Sequence, residues 1–221
     1  MIPRAAPRLA GFGVAAAAVL AFAGLAGEVL EGETLSFDRL ILLALHNTAE
    51  PHNPIGPHWL WDTARDVTGL GGNAVLTGVT LAVAGFLALV RKPAAGLTVL
   101  VAVGGGTVIS SILKLVFQRV RPDIVPHAAE VYTSSFPSGH AMLSAVTYLT
   151  IGALLAQMQP QWRVKAYILG IAILTTLLVG VSRVYLGVHW PTDVLAGWCM
   201  GSAWALLCWL TALSLDRKGL V

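Results

Sequence analysis

Residues 134–162 read "SSFPSGHAMLSAVTYLTIGALLAQMQPQW". From Ala141 to Trp162 no Asp, Glu, Lys or Arg interrupts the run. That is close to the ~20 apolar residues needed to cross a hydrocarbon core. Yet the run is headed by Ser-Gly-His, which is poor packing material for the mouth of a greasy helix. Five more runs lack charge in the same way: Leu9–Gly27, Val67–Val90, Pro93–Leu113, Ala166–Ser182 and Val194–Leu215. The fifth in chain order, Ala166–Ser182, is the shortest and needs its flanks to span. The first has an alternative as a cleaved signal peptide, because "AFAGLAG" offers small residues for cleavage. Composition agrees with a membrane protein. The 221 residues are 56% hydrophobic and 11% charged, where soluble domains carry about 25% charged residues, and the mean hydropathy is +0.75. The expected fold is all-α, a polytopic membrane bundle of six transmembrane helices forming a single domain over 1–221.

Basic residues set the orientation. Arg4 and Arg8 precede the first run, Arg91 and Lys92 follow the second, Arg163 and Lys165 follow the fourth, and Arg217 and Lys218 follow the last. With six spans all four clusters fall on one side, which is then cytoplasmic. The first loop, with Glu28, Glu31, Glu33, Asp38 and Glu50, falls outside. Two short apolar pieces in it, "RLILLALH" and "HWLWDTARD", read as interfacial helices with Trp59 and Trp61 at headgroup depth. The turn-rich "PHNPIGPH" connects them. Topology accounts for much of the net charge of +3, so no nucleic acid is implied, and nothing points to an obligatory protein partner. Cys199 and Cys208, both in the last run, read as inert buried thiols. His46, His52, His58 and His127 show no tight metal-ligand spacing.

Three more segments fall outside, "KLVFQRVRPD", "FPSGH" and "SRVYLGVHWPTD", and the first and last break the topology rule with Lys114, Arg119, Arg121 and Arg183. They place Lys114, Arg121, His140, Arg183, His189 and Asp193 at one depth on four helix ends. Each alone has a bland reading, such as a snorkelling lysine or an acidic first-turn residue. Together they are hard to dismiss, because charge near a bilayer costs at least ~2.5–3.5 kcal/mol unless paired or solvated. Three fixed cations suit a multiply charged anion, with guanidinium forks matching phosphate oxygens. The amides of Gly139 and His140 open a helix, where the dipole favours an anion. Ser138 can either cap that helix or donate to a phosphate oxygen. His189 and Asp193 stand i,i+4, so the carboxylate can fix the imidazole tautomer and leave Nε2 free to attack. His140 can protonate a leaving oxygen. This set amounts to phosphoryl transfer through a phosphohistidine.

Lys114 to Arg121-Pro122 fits K-x6-R-P, "PSGH" fits a second signature, and "SRVYLGVHWPTD" fits S-R-x5-H-x3-D. The three, in this order within 114–193, resemble the type 2 phosphatidic acid phosphatase superfamily, which includes bacterial membrane lipid phosphatases. The resemblance implies that Lys114, Arg121, Ser138, Gly139 and Arg183 bind phosphate. It makes His140 the general acid, His189 the nucleophile and Asp193 its partner. It also implies a reaction without metal or cofactor and a helical-bundle core. Lys114 and Arg121 share one helical face only if their helix continues to Arg121. Arg119 lies outside the signature and reads as solvated, with a headgroup contact as the other option.

The resulting expectation is a lipid phosphatase in a bacterial inner membrane, multi-pass, with its site facing the periplasm. Candidate substrates are phosphatidylglycerol phosphate, phosphatidic acid and undecaprenyl diphosphate. Two rivals remain. An intramembrane serine hydrolase would use Ser138, His189 and Asp193, but Gly-x-Ser-x-Gly is absent and the cations go unexplained. A non-enzymatic lipid or anion transporter would show broken helices near the midplane, which the runs do not suggest.

Overall fold

The computed structural model describes residues 6–46, 54–123 and 134–216. Eight helices follow in order: α1 Ala6–Glu31, α2 Leu35–Ala44, α3 His58–Gly69, α4 Asn73–Leu89, α5 Pro93–Phe117, α6 Gly139–Gln157, α7 Trp162–Tyr185 and α8 Pro191–Asp216. No strand occurs among the described residues; the nearest thing is a lone bridge between His46 and Pro54. Of the residues singled out above, Arg4, Glu50, His52, His127, Arg217 and Lys218 lie outside the described ones, as do the first three residues of the "PHNPIGPH" connector. Five helices (α1, α5, α6, α7 and α8) are each long and apolar enough to cross a membrane, and α3 with α4 makes a sixth crossing if the pair is counted as one bent span. Their outward faces carry exposed Leu, Val, Ile and Phe, which in water would be a liability and against acyl chains is required.

The expected second span differs in detail. The run Val67–Val90 is broken at Leu70–Gly72, and α3 and α4 meet there at a bend of 47°. The cause is local: "GLGG" at 69–72 supplies three glycines in four residues, each about 1 kcal/mol worse than Ala in a helix. Gly72 leaves the helix for an extended φ/ψ and restarts α4 as its N-cap. Tyr148 of α6 donates its hydroxyl to the Leu70 carbonyl at 2.7 Å, satisfying a backbone acceptor that the break exposes. So the chain does contain a broken helix, contrary to the reading of uninterrupted runs. The "HWLWDTARD" piece forms the separate short helix α3, bent from α4 at the break, with Trp59 exposed. The "RLILLALH" piece does form most of a short helix, α2.

Helix α8 is the hub. It lies so close to α6 that a Cβ on Gly197 would meet the Ser138 carbonyl at 2.8 Å and the Ala141 methyl at 3.1 Å, and one on Gly201 would strike the Met142 carbonyl. Small residues four apart are what lets membrane helices approach backbone to backbone. Two indoles then tie α8 to its other neighbours: Trp198 Nε1 donates to Thr176 of α7 at 3.1 Å, and Trp204 Nε1 to Ala102 of α5 at 2.8 Å. Under the loop before α6, Phe136 is fully buried, 5.8 Å from the ring of Phe22 in α1 and 4.9 Å from Phe117 in α5. The aromatic trio seats the loop that carries "PSGH".

Candidate active site

The same end of the bundle gathers the C-terminal ends of α5 and α7 and the N-terminal ends of α6 and α8. Two local devices shape it. Helix α7 closes in a Schellman motif: Val188 N–H bonds the Arg183 carbonyl at 3.2 Å and Gly187 N–H the Val184 carbonyl at 2.9 Å, with Gly187 at φ +67. The left-handed residue turns the chain back so that His189 follows Arg183 into the same corner. Helix α8 then starts with Pro191 at its first position, where a missing N–H costs nothing. Asp193, in the first turn, takes the Trp190 backbone N–H at 3.0 Å, one half of a capping box.

His189 therefore sits just ahead of α8, buried, with Nδ1 3.3 Å from Asp193 Oδ2. Nε2 faces Arg121, whose Nη1 is 3.1 Å away and also donates to the Val188 carbonyl at 2.8 Å. A guanidinium can only donate, so Nε2 is the acceptor and the proton resides on Nδ1 against the carboxylate. Burial pulls the imidazole from its ordinary value to about 4, against the opposing pull of Asp193 and with Arg121 and Arg183 adding to it. The ring is thus neutral near pH 7 and keeps its lone pair.

The cations converge, though not by the route the spacing suggested. Helix α5 ends at Phe117, with Gln118 left-handed at φ +43, and Pro122 keeps Arg121 out of the α region. Arg121 reaches the site from the non-helical segment after α5, not from the helical face of Lys114. Lys114 Nζ donates to the Ser134 carbonyl at 2.6 Å, and Arg183 Nη1 donates to Thr68 Oγ1 of α3 at 3.1 Å while its Nε is buried without a hydrogen-bond partner. His140, second residue of α6, lies within electrostatic reach of Arg183, His189, Arg121 and Lys114. Gly139 opens α6, and a Cβ there would lie 3.6 Å from Lys114 Cε. Ser138 is its N-cap, with Oγ accepting from Ala141 N–H at 3.5 Å. A cap uses an oxygen lone pair, so the hydroxyl proton stays available to an anion. Among its described contacts Ser138 has no histidine, so the serine-hydrolase triad is not formed. Asp193 is bonded by His189 and, through Ser135 Oγ, by a different serine.

One sequence reading is overturned. Arg119 is not solvated: its side chain is 12% exposed and bridges Asp193 Oδ1 at 2.6 Å and Asp38 Oδ2 at 2.7 Å. Asp38, Thr34, Ser135, Thr192 and Thr68 are further polar contacts of the site that sequence reasoning missed. A signal for Asp38 existed. Thr34, Asp38, Leu42 and His46 recur every four residues, all buried, so the carboxylate stands on the inward stripe of α2 and not on a wet face. Among the described residues, no group of three His, Cys, Asp or Glu could hold a metal ion. His58 instead pairs with Asp62 on the exposed side of α3. Cys199 and Cys208 are free and half-buried.

Residues 95–216 match the model of the PAP2 superfamily. The chain belongs to that superfamily. It is 36% identical over 163 residues to phosphatidylglycerophosphatase B of Bacillus subtilis, covering 72% of this chain and 77% of that protein. It is 33% identical over 126 residues to an undecaprenyl-diphosphatase of Sulfolobus acidocaldarius, covering 55% of this chain and 54% of the relative. The fold is similar to the crystal structure of the transmembrane PAP2-type phosphatidylglycerolphosphate phosphatase from Bacillus subtilis, with a TM-score of 0.80 at 32% identity over 92% of this chain and 96% of the other. As a PAP2 member the protein is a multi-pass membrane protein and, in the broad sense its relatives share, a lipid phosphatase. The eight candidate site residues, Lys114, Arg121, Ser138, Gly139, His140, Arg183, His189 and Asp193, stand around the one corner just described.

Proposed function

We propose that the protein hydrolyses a phosphomonoester or diphosphate of a membrane lipid through a phosphohistidine at His189. The observation that carries this reading is the His189 ring itself: neutral, tautomerically fixed by Asp193 at 3.3 Å, and aimed by Nε2 into a cluster of cations. Lys114, Arg121 and Arg183 take the phosphate oxygens, joined by the Ser138 hydroxyl and the amides at the start of α6. Nε2 gives its lone pair to phosphorus as the P–O bond to the lipid breaks, and the leaving oxygen takes a proton from His140. Asp193 stabilises the positive imidazole that results. Water then attacks the phosphohistidine, His140 accepts its proton, and inorganic phosphate leaves with His189 neutral again. The acyl or prenyl tail remains in the bilayer beside the exposed apolar flanks of the bundle, while the headgroup enters at the helix ends. The chain works as one unit, since α2 and α3 supply contacts to the site.

Phosphatidylglycerol phosphate, phosphatidic acid and undecaprenyl diphosphate all offer that combination of tail and phosphate. The named activities of the two relatives favour the first and the last. With its basic connectors Arg91-Lys92 and Arg163–Lys165 on the cytoplasmic side, the site opens at the periplasmic face of a bacterial inner membrane. Purified protein is tested for phosphate release over this lipid panel, with His189→Ala and His140→Ala beside it. His189→Ala loses on the order of 10³–10⁶-fold on every substrate. His140→Ala is severely impaired on a lipid monophosphate but retains much of its single-turnover p-nitrophenol release from p-nitrophenyl phosphate, whose leaving group needs no proton. Equal loss of His140→Ala on both substrates, or rescue of His189→Ala, refutes the roles.

A further inference from the structure

Asp38 is wholly buried, far from the signature motifs in sequence, yet it touches the residue beside the candidate nucleophile's partner. Its Oδ1 accepts the Thr192 backbone N–H at 2.9 Å, and its Oδ2 accepts the Thr192 hydroxyl at 2.6 Å and Arg119 Nη2 at 2.7 Å. The other end of the Arg119 fork, Nη1, donates to Asp193 Oδ1 at 2.6 Å and to Thr192 Oγ1 at 2.8 Å. The two oxygens of Asp193 are thereby divided. Oδ1 faces Arg119, while Oδ2 receives His189 Nδ1, the Trp190 amide and the Ser135 hydroxyl. Two carboxylates share one guanidinium, so this buried group carries one net negative charge.

That arithmetic matters for a histidine that must become cationic. A lone buried carboxylate gripped by a lone guanidinium is a neutral pair, and offers little to a developing imidazolium beyond geometry. With a second carboxylate drawing on the same guanidinium, one charge is left uncompensated in a low-dielectric setting, where it acts strongly. The cations on the far side of the ring do not cancel it once the phosphate occupies them.

We propose that Asp38 is a positioning residue that works through Arg119, taking up half of its fork so that Arg119 holds Asp193 in place without neutralising it. This rests on the reading of His189 as nucleophile. Asp38 touches neither substrate nor reacting atoms; it sets the charge behind them.

The test uses full-length purified protein with p-nitrophenyl phosphate, reading single-turnover p-nitrophenol release, KM and the thermal midpoint. The variants are Asp38→Asn, the double variant Asp38→Asn/Arg119→Met, Asp193→Asn and His189→Ala. Asp38→Asn keeps the shape of the side chain and is expected to slow the first turnover about 10–100-fold, the range that outer partners of a functional ligand carry, with KM changed less than about twofold. The double variant removes one charge of each sign and leaves Asp193 uncompensated again. It is expected to recover at least about fivefold over Asp38→Asn, even if its thermal midpoint is lower. An unchanged first turnover in Asp38→Asn, or a double variant no faster than the single, overturns the proposal. Should Asp38→Asn fail to fold, the double variant is compared with wild type. A loss within about tenfold sustains the proposal, and a loss as deep as that of Asp193→Asn overturns it. His189→Ala separates the two claims. If it still releases p-nitrophenol in a burst, the nucleophile assignment fails whatever Asp38 does. If it is inert while Asp38→Asn is normal, only the present proposal fails.

Discussion

Gly71→Ala adds one methyl group to the break between α3 and α4, and the structure says what that methyl meets. A Cβ at Gly71 would lie 2.5 Å from Val179 Cγ1 and 3.3 Å from both Cβ and Cδ2 of His140. Ordinary contact begins at 3.4 Å, so about 0.9 Å must be found against Val179 and a further tenth against the histidine. The backbone of Gly71 is not left-handed, so space alone is at issue. Val179 is fully buried and β-branched, with one strongly preferred rotamer in a helix, and cannot turn aside. The break must therefore move outward, or His140 must yield. Relieving the roughly 0.9 Å on Val179 shifts the break that packs on His140 by a comparable distance, and a misplacement of about 1 Å at a reacting group is worth roughly 100-fold in rate. The assay compares lipid monophosphate turnover with single-turnover p-nitrophenol release, alongside the thermal midpoint. Since the contact is with the proposed acid, lipid turnover should fall about 100-fold and p-nitrophenol release by less than about tenfold. Equal losses on both substrates, or no loss in a variant that melts like wild type, would refute the reasoning that the break buttresses His140.

Three other outcomes are expected. On the proposed reading Lys114, Arg121 and Arg183 supply the charge that Mg²⁺ supplies in many phosphoryl-transfer enzymes, so activity should survive excess EDTA; complete loss restored by a divalent metal would contradict the site. In a Cys199→Ser/Cys208→Ser background, Asp123→Cys should react with an impermeant thiol reagent from outside the cell and Arg163→Cys should not, and the reverse labelling would move the site to the cytoplasm. Gly187→Ala places a Cβ at φ +67, costing about 1–2 kcal/mol; the thermal midpoint should drop accordingly and the first turnover should slow, because the Schellman turn aims His189.

Much of this was legible in the sequence because membrane helices and phosphate sites both leave coarse marks. Uncharged runs of about 20 residues locate α1, α5, α6, α7 and α8, and three motifs at helix ends locate Lys114, His140, Arg183, His189 and Asp193. What escaped depends on contacts between distant segments. Arg119 looks like any loop cation until Asp38, 81 residues earlier, is brought against it. The break at Leu70–Gly72 was hidden because hydropathy sees "GLGG" as apolar and uncharged, while the helix sees three residues without side chains. The condition for Arg121 to share the helical face of Lys114, a helix that continues to it, fails because α5 ends at Phe117. In each case the residue type was visible and its backbone or partner was not.

Arg121 Nη1 lies 3.1 Å from His189 Nε2, so the lone pair that the proposed mechanism gives to phosphorus already faces a guanidinium. An uncharged ester brings nothing that would draw this guanidinium away, and a carboxylic ester would meet an occupied lone pair. A phosphate dianion offers oxygens that a guanidinium prefers to an imidazole nitrogen. On the proposed reading, discrimination against an uncharged ester is therefore exercised at the attacking atom, without needing a pocket that recognises the rest of the lipid.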